Sequence, residues 1–77
     1  MMHVYAIHDG KAEAYLRPFF EQTHATAIRA VQTAMADPDH QFTRYAADYT
    51  LFCVGSWDEL SGTLVPLEAN VNLGNLI

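Results

Sequence analysis

Positive charge is scarce in this 77-residue chain. Four lysines and arginines stand against nine aspartates and glutamates, giving a net charge of −5. All four cations, Lys11, Arg17, Arg29 and Arg44, fall in the first 44 residues; positions 45–77 hold Asp48, Asp58, Glu59 and Glu68 with no cation. Such a C-terminal half repels phosphate backbones, so a nucleic-acid surface must lie in the N-terminal half or form across an oligomer. Cysteine occurs once, at Cys53, which excludes an intrachain disulfide and a cysteine-based zinc site and favours a reducing compartment. The glycines Gly10, Gly55, Gly62 and Gly74 are scattered singles, so no phosphate-cradling loop is present. No apolar run approaches the roughly 20 residues that span a bilayer. The opening residues, broken by His3, Tyr5 and Asp9–Gly10, do not form a secretory pattern. A soluble, intracellular protein with no membrane partner is expected.

Catalytic patterns are equally thin. The histidines His3, His8, His24 and His40 form no HExxH motif and no Cys/His grouping with zinc spacing. His3 and His8 are five apart and point to opposite faces of a strand. Asp37/Asp39 and Asp58/Glu59 read as solvated loop carboxylates, because acid–base pairs need distinct environments in a cleft. Ser56 and Ser61 flank Trp57 without a GxSxG context. No catalytic residue, metal ligand or cofactor is expected, and the chain reads as a non-enzyme.

What is present is 51% hydrophobic residues, enough for one small core. A domain of this size buries little more than half of its extended surface, so self-association adds buried area cheaply. Met2–His8 reads as a strand ended by Asp9–Gly10. Ala12, Ala14, Tyr15 and Leu16 favour a helical turn, which Pro18 stops while biasing Arg17 toward an extended backbone. Phe19 and Phe20 supply an apolar anchor, with ligand stacking as the lesser alternative.

Thr23 is the expected N-cap of a helix over residues 24–36. Its apolar side holds His24, Ala27, Ile28, Val31, Ala34 and Met35, with Arg29 opposite. Asp37–Pro38–Asp39 ends it. Phe42 and Tyr45 are packing residues of a connecting segment. Tyr49–Gly55 is the clearest strand, with Tyr49, Leu51 and Cys53 on one face and Thr50, Phe52 and Val54 on the other. Residues 56–62 form a loop with Gly62 at positive φ, and Thr63–Pro66 returns as an edge strand.

The expected fold is α+β: a small β-α-β-β domain with one helix on a three-stranded mixed sheet. Its first and post-helix strands are parallel through a right-handed crossover. Residues 1–67 form the domain, and 68–77 a C-terminal arm that is docked, pairs as a fourth strand or serves oligomerisation. A sheet face left bare by a single helix calls for a partner subunit or the tail, and a homodimer is expected.

An ordered set of landmarks carries a family resemblance. They run from Val4–Tyr5–Ala6–Ile7–His8–Asp9 and Lys11–Ala12 through Pro18–Phe19–Phe20, Ala27–Ile28–Arg29–Ala30, Asp37–Pro38 and Phe42. They continue with Ala47–Asp48–Tyr49, Leu51, Gly55–Ser56–Trp57–Asp58, Gly62 and Val65–Pro66–Leu67. Over Met2–Leu67 the chain resembles the small nonstructural protein of gokushoviruses, single-stranded DNA phages of the microvirus group. The resemblance implies a phage accessory factor in the host cell cytoplasm, linked to viral DNA synthesis or its coupling to packaging. DNA binding is commonly supposed for that family, and no catalytic residues come with it. The chain departs at His40–Gln41 and Thr43–Arg44–Tyr45–Ala46, where relatives tend to carry a Lys-His-Pro-Glu-like segment; the lost lysine counts against DNA contact by that loop.

Two functions compete at this level. Single-stranded DNA binding would use Lys11, Arg17, Arg29 and Arg44 on the backbone, with Tyr15 or Tyr45 stacking on bases. A protein-interaction adaptor would instead offer Trp57, Asp58 and Glu59 to a viral or host replication or packaging factor.

Overall fold

The computed structural model describes residues 2–76. In chain order the strands are β1 (Met2–Asp9), β2 (Ala14–Tyr15) and β3 (Phe19–Glu21), then β4 (Tyr49–Asp58) and β5 (Thr63–Asn75). Between β3 and β4 lie α1 (His24–Met35), α2 (Gln41–Arg44) and a single 3₁₀ turn at Ala46–Asp48. The sheet order is β2-β1-β4-β5, with β3 pairing β1 beside β2, and every pairing is antiparallel. The sheet curls into a half-barrel.

This overturns the expected helix on a three-stranded mixed sheet. The physical reason lies in residues 11–21. They return along β1 as two short strands, Tyr15 opposite His8 and Glu21 opposite His3. The chain therefore reaches the start of β1 before α1 begins, and α1 carries it back. β4 then enters at the far end, Tyr49 opposite Asp9, and runs antiparallel to β1. A direct strand–helix–strand crossover would have given the parallel pair; the extra pass reverses it.

Local chemistry sets α1. The Thr23 hydroxyl accepts from the Thr26 backbone N–H at 3.1 Å, and the Thr23 N–H donates to the Thr26 hydroxyl at 3.2 Å, a reciprocal cap. Ala27 and Val31 are buried from this helix, and Met35 packs at the margin. They meet Tyr5 and Ile7 of β1, Tyr49, Leu51 and Cys53 of β4, and Leu76. Alternation along β4 puts Tyr49, Leu51 and Cys53 toward the helix and leaves Thr50, Phe52 and Val54 half-buried on the reverse face.

Two further boundaries differ from expectation. β4 continues through Trp57 and Asp58, and the turn is confined to residues 59–62, where Gly62 adopts φ 69°. β5 passes through Pro66 to Asn75, tolerable because it is the terminal strand of the sheet. Its register slips twice, most widely where Cys53 pairs with Val71 but Gly55 with Pro66, so residues 67–70 bow away from β4. No helix among the described residues is long and apolar enough to cross a membrane.

Candidate functional site

The sheet face turned away from α1 holds the densest unassigned chemistry. On β1 the reverse-face residues are Val4, Ala6 and His8, alternating with helix-facing Tyr5 and Ile7. Val4 and Ala6 are buried although they stand outside the helix-side cluster, so the curl itself covers them. Pairing places Phe20 of β3 beside Val4 and Phe52 of β4 beside Ala6.

Two aromatic groups frame this face. At one end the Tyr15 ring meets His8 at 4.8 Å and Phe52 at 5.6 Å between centroids, both edge-to-face. Edge-to-face contact is the favoured geometry for rings of opposite edge and face polarity. The Asn70 side-chain amide, from the bowed part of β5, donates to the Tyr15 hydroxyl at 3.2 Å. At the other end the Phe20 ring packs edge-to-face on Trp57 at 6.0 Å. Beside the Phe20–Trp57 end lies a shallow apolar cleft lined by Val4, Pro18, Val54, Leu64 and Pro66. Tyr15 and Phe20 remain exposed enough to be touched from solution.

The cations are distributed unevenly around this frame. Lys11 lies in the β1–β2 turn and Arg17 in the β2–β3 link, so they bracket Tyr15 along that edge. The Lys11 backbone N–H donates to the Asp9 carboxylate at 2.9 Å, which fixes the turn. Lys11 also borders a second cleft with Tyr45, Asp9 and Asp48. Arg29 is exposed on α1, and Arg44 is on α2, its guanidinium 5.6 Å from the Tyr45 ring. Both belong to the helical layer. Lys11, Tyr15 and Arg17 thus follow one another along the β2 edge, Lys11 also sharing a cleft with Tyr45, over which Arg44 lies, while Arg29 stands on α1.

Trp57, expected at an exposed loop tip, sits inside β4 and is half-buried against Phe20. The tip belongs instead to Leu60, which is 99% exposed. The Leu60 N–H donates to the Asp58 carboxylate at 3.0 Å, and this bond, with that of the Ser61 hydroxyl, holds the Asp58 carboxyl below the usual aspartate range. His8, Phe52 and Asn70 were not singled out by the sequence. The alternation that placed Phe52 on the reverse face was the available signal; Asn70 had none, because its partner is 55 positions away.

A half-buried polar contact lies on the helix side. Tyr5, 0% exposed, places its hydroxyl 2.7 Å from His24 Nδ1 at the start of α1. Burial first, then the nearby Cys53 and Glu21, pushes the Tyr5 phenol up to about 12. The phenol therefore stays protonated and shares a hydrogen bond with the imidazole. The contact fastens α1 to β1. Among the described residues no group of three or more His, Cys, Asp or Glu side chains is placed to hold a metal ion.

Comparison with known proteins adds one finding. A family model described as Phage ORF5 protein matches residues 2–77, all but the first position of the chain. The chain belongs to the Phage ORF5 protein family. Membership makes it a small phage protein. No curated protein and no solved structure matches it.

Proposed function

We propose that this Phage ORF5 protein is a non-enzymatic nonstructural factor of a microvirus-type phage. In this reading it binds single-stranded DNA during viral DNA synthesis or its coupling to packaging. The observation that carries the reading is the reverse sheet face, with Tyr15 and Phe52 at one end and Phe20 and Trp57 at the other. Proteins that hold single strands without sequence preference combine stacking aromatics with a positively charged groove that tracks the backbone. Here Lys11 and Arg17 supply the cations at the edge that carries Tyr15.

The net charge of −5 shapes the mode of binding. With two cations at the face, counterion release gives a slope of only about −1.4 in log K against log salt. Stacking, which salt screens little, has to provide most of the affinity. A titration of labelled single-stranded oligonucleotide at two salt concentrations tests this. Saturable binding with a shallow slope is expected; no binding at low salt rejects the reading.

A second reading is favoured by the exposed Leu60 between Glu59 and Ser61, beside Asp58. An apolar tip rimmed by carboxylates suits a basic protein surface with an apolar pocket, as in a replication or packaging factor. Capture of a specific partner that is lost in Leu60→Ala and Glu59→Lys supports this reading. Unchanged capture by both variants rejects the tip as the contact.

A further inference from the structure

The two edges of the sheet are protected very differently. One edge is divided between strands of two and three residues, β2 and β3, with Pro18 between them and Lys11, Glu13, Arg17 and Glu21 along its length. Short strands, proline and charge are the devices that stop an edge from pairing with another chain. The other edge is β5, thirteen residues long, whose sole charged residue is Glu68. Leu64 is 54% exposed, Val65 47% and Val71 43%, and Leu67 is exposed beside them.

We propose that the outer edge of β5 is a self-association surface, and that its partner is a second copy of this chain with its own β5 antiparallel across a twofold axis. Charge argues for a second copy. Two chains of net charge −5 repel through most of their surface, but β5 meeting β5 brings together only Glu68 from each. Surface area argues the same way. The chain exposes 5164 Å², against about 4,700 Å² for a compact monomer of 8.6 kDa. A standard interface recruits about 20–30 residues from each side. β5 supplies thirteen, and the neighbouring rim of α1, including exposed Ile28 and Gln32, extends the patch beside Leu73. Pro66 and the bowed residues 67–70 interrupt the middle of the strand, so the paired stretches are its two ends. This inference does not depend on DNA binding, and its test contains no DNA.

Sedimentation equilibrium of the whole chain, from about 10 μM to about 1 mM, reads the outcome. The expected result is a species of twice the 8.6 kDa chain mass. Val65→Lys and Val71→Lys should each weaken the dimer at least about tenfold, while Ala12→Lys, exposed in the β1–β2 turn at the opposite edge, leaves it unchanged. A chain that stays monomeric to about 1 mM, or a dimer indifferent to both β5 variants, overturns the proposal. If either lysine variant loses its cooperative unfolding transition, hydrogen exchange of the unmodified chain decides. Amides of β5 should exchange more slowly as concentration rises, and rates independent of concentration overturn the proposal.

Discussion

The Asn70 amide and the Tyr15 hydroxyl meet at 3.2 Å, joining β5 to β2 across the open side of the half-barrel. These strands sit at opposite ends of the sheet order, so nothing but curvature brings them together. The bow in β5 at residues 67–70 is what lets the strand lean over the face. Each residue touches an element that the other does not: Tyr15 stacks on His8 and Phe52, and Asn70 is carried by the bow.

A double-mutant cycle on Asn70→Ala and Tyr15→Phe measures this link. Each single change should cost about 0.5–1 kcal/mol, as befits an exposed neutral hydrogen bond. The double variant should cost less than the sum, because both changes remove one interaction. Urea unfolding of the four proteins gives the values; strict additivity would mean that the contact contributes nothing in solution.

Alkaline stability reports on Tyr5. Its phenol is pushed to about 12 in the folded chain, above the 10.0 of a free phenol, chiefly by burial. The native state thus holds this proton more tightly than the unfolded state does. The stabilisation is fully present below pH 10 and is lost as pH rises from 10 through 12, up to about 2–3 kcal/mol in all. Tyr49, also raised mainly by burial, adds a loss of the same sign. Unfolding free energies at stepped alkaline pH should fall steeply in that window, and the fall should be shallower in Tyr5→Phe.

Gly55 is the tightest point in the hairpin. A Cβ built there would lie 2.5 Å from the Val65 carbonyl oxygen and 3.3 Å from Pro66 Cα, both backbone atoms with little freedom to move. Gly55→Ala should therefore cost about 2–3 kcal/mol, at the upper end of ordinary substitutions. Gly62→Ala strains a positive φ with open space around it, and should cost about 1 kcal/mol. Thermal melts of the two variants test the order; a milder effect at Gly55 than at Gly62 would contradict the close approach.

The sequence made the helix legible to within a residue, because Thr23, the apolar periodicity and Asp37–Pro38 mark its bounds locally. The β4 faces were equally legible, since Tyr49, Leu51 and Cys53 alternate with Phe52 and Val54. Strand direction was not. Ala14–Tyr15 and Phe19–Glu21 are too short to carry a period, and their pairing with β1 is what reverses β4. The extent of β5 was hidden for a related reason: its bow breaks the alternation between Pro66 and Val71. Of the candidate site, Lys11, Tyr15 and Arg17 were named from residue type. That Lys11 shares a cleft with Tyr45, and that Asn70 reaches Tyr15, depends on tertiary layering, which no local signal encodes.

Binding of a single-stranded oligonucleotide to four variants tests the central claim most directly. Tyr15→Ala and Phe20→Ala should each weaken binding by about 1–3 kcal/mol, roughly five- to 150-fold, with the fold retained. The paired variant Arg29→Ala plus Arg44→Ala should bind as the unmodified chain does, and Lys11→Ala plus Arg17→Ala should flatten the salt dependence. Loss of binding in the Arg29/Arg44 pair with no loss in either aromatic variant would contradict the account and move the interface to the helical layer.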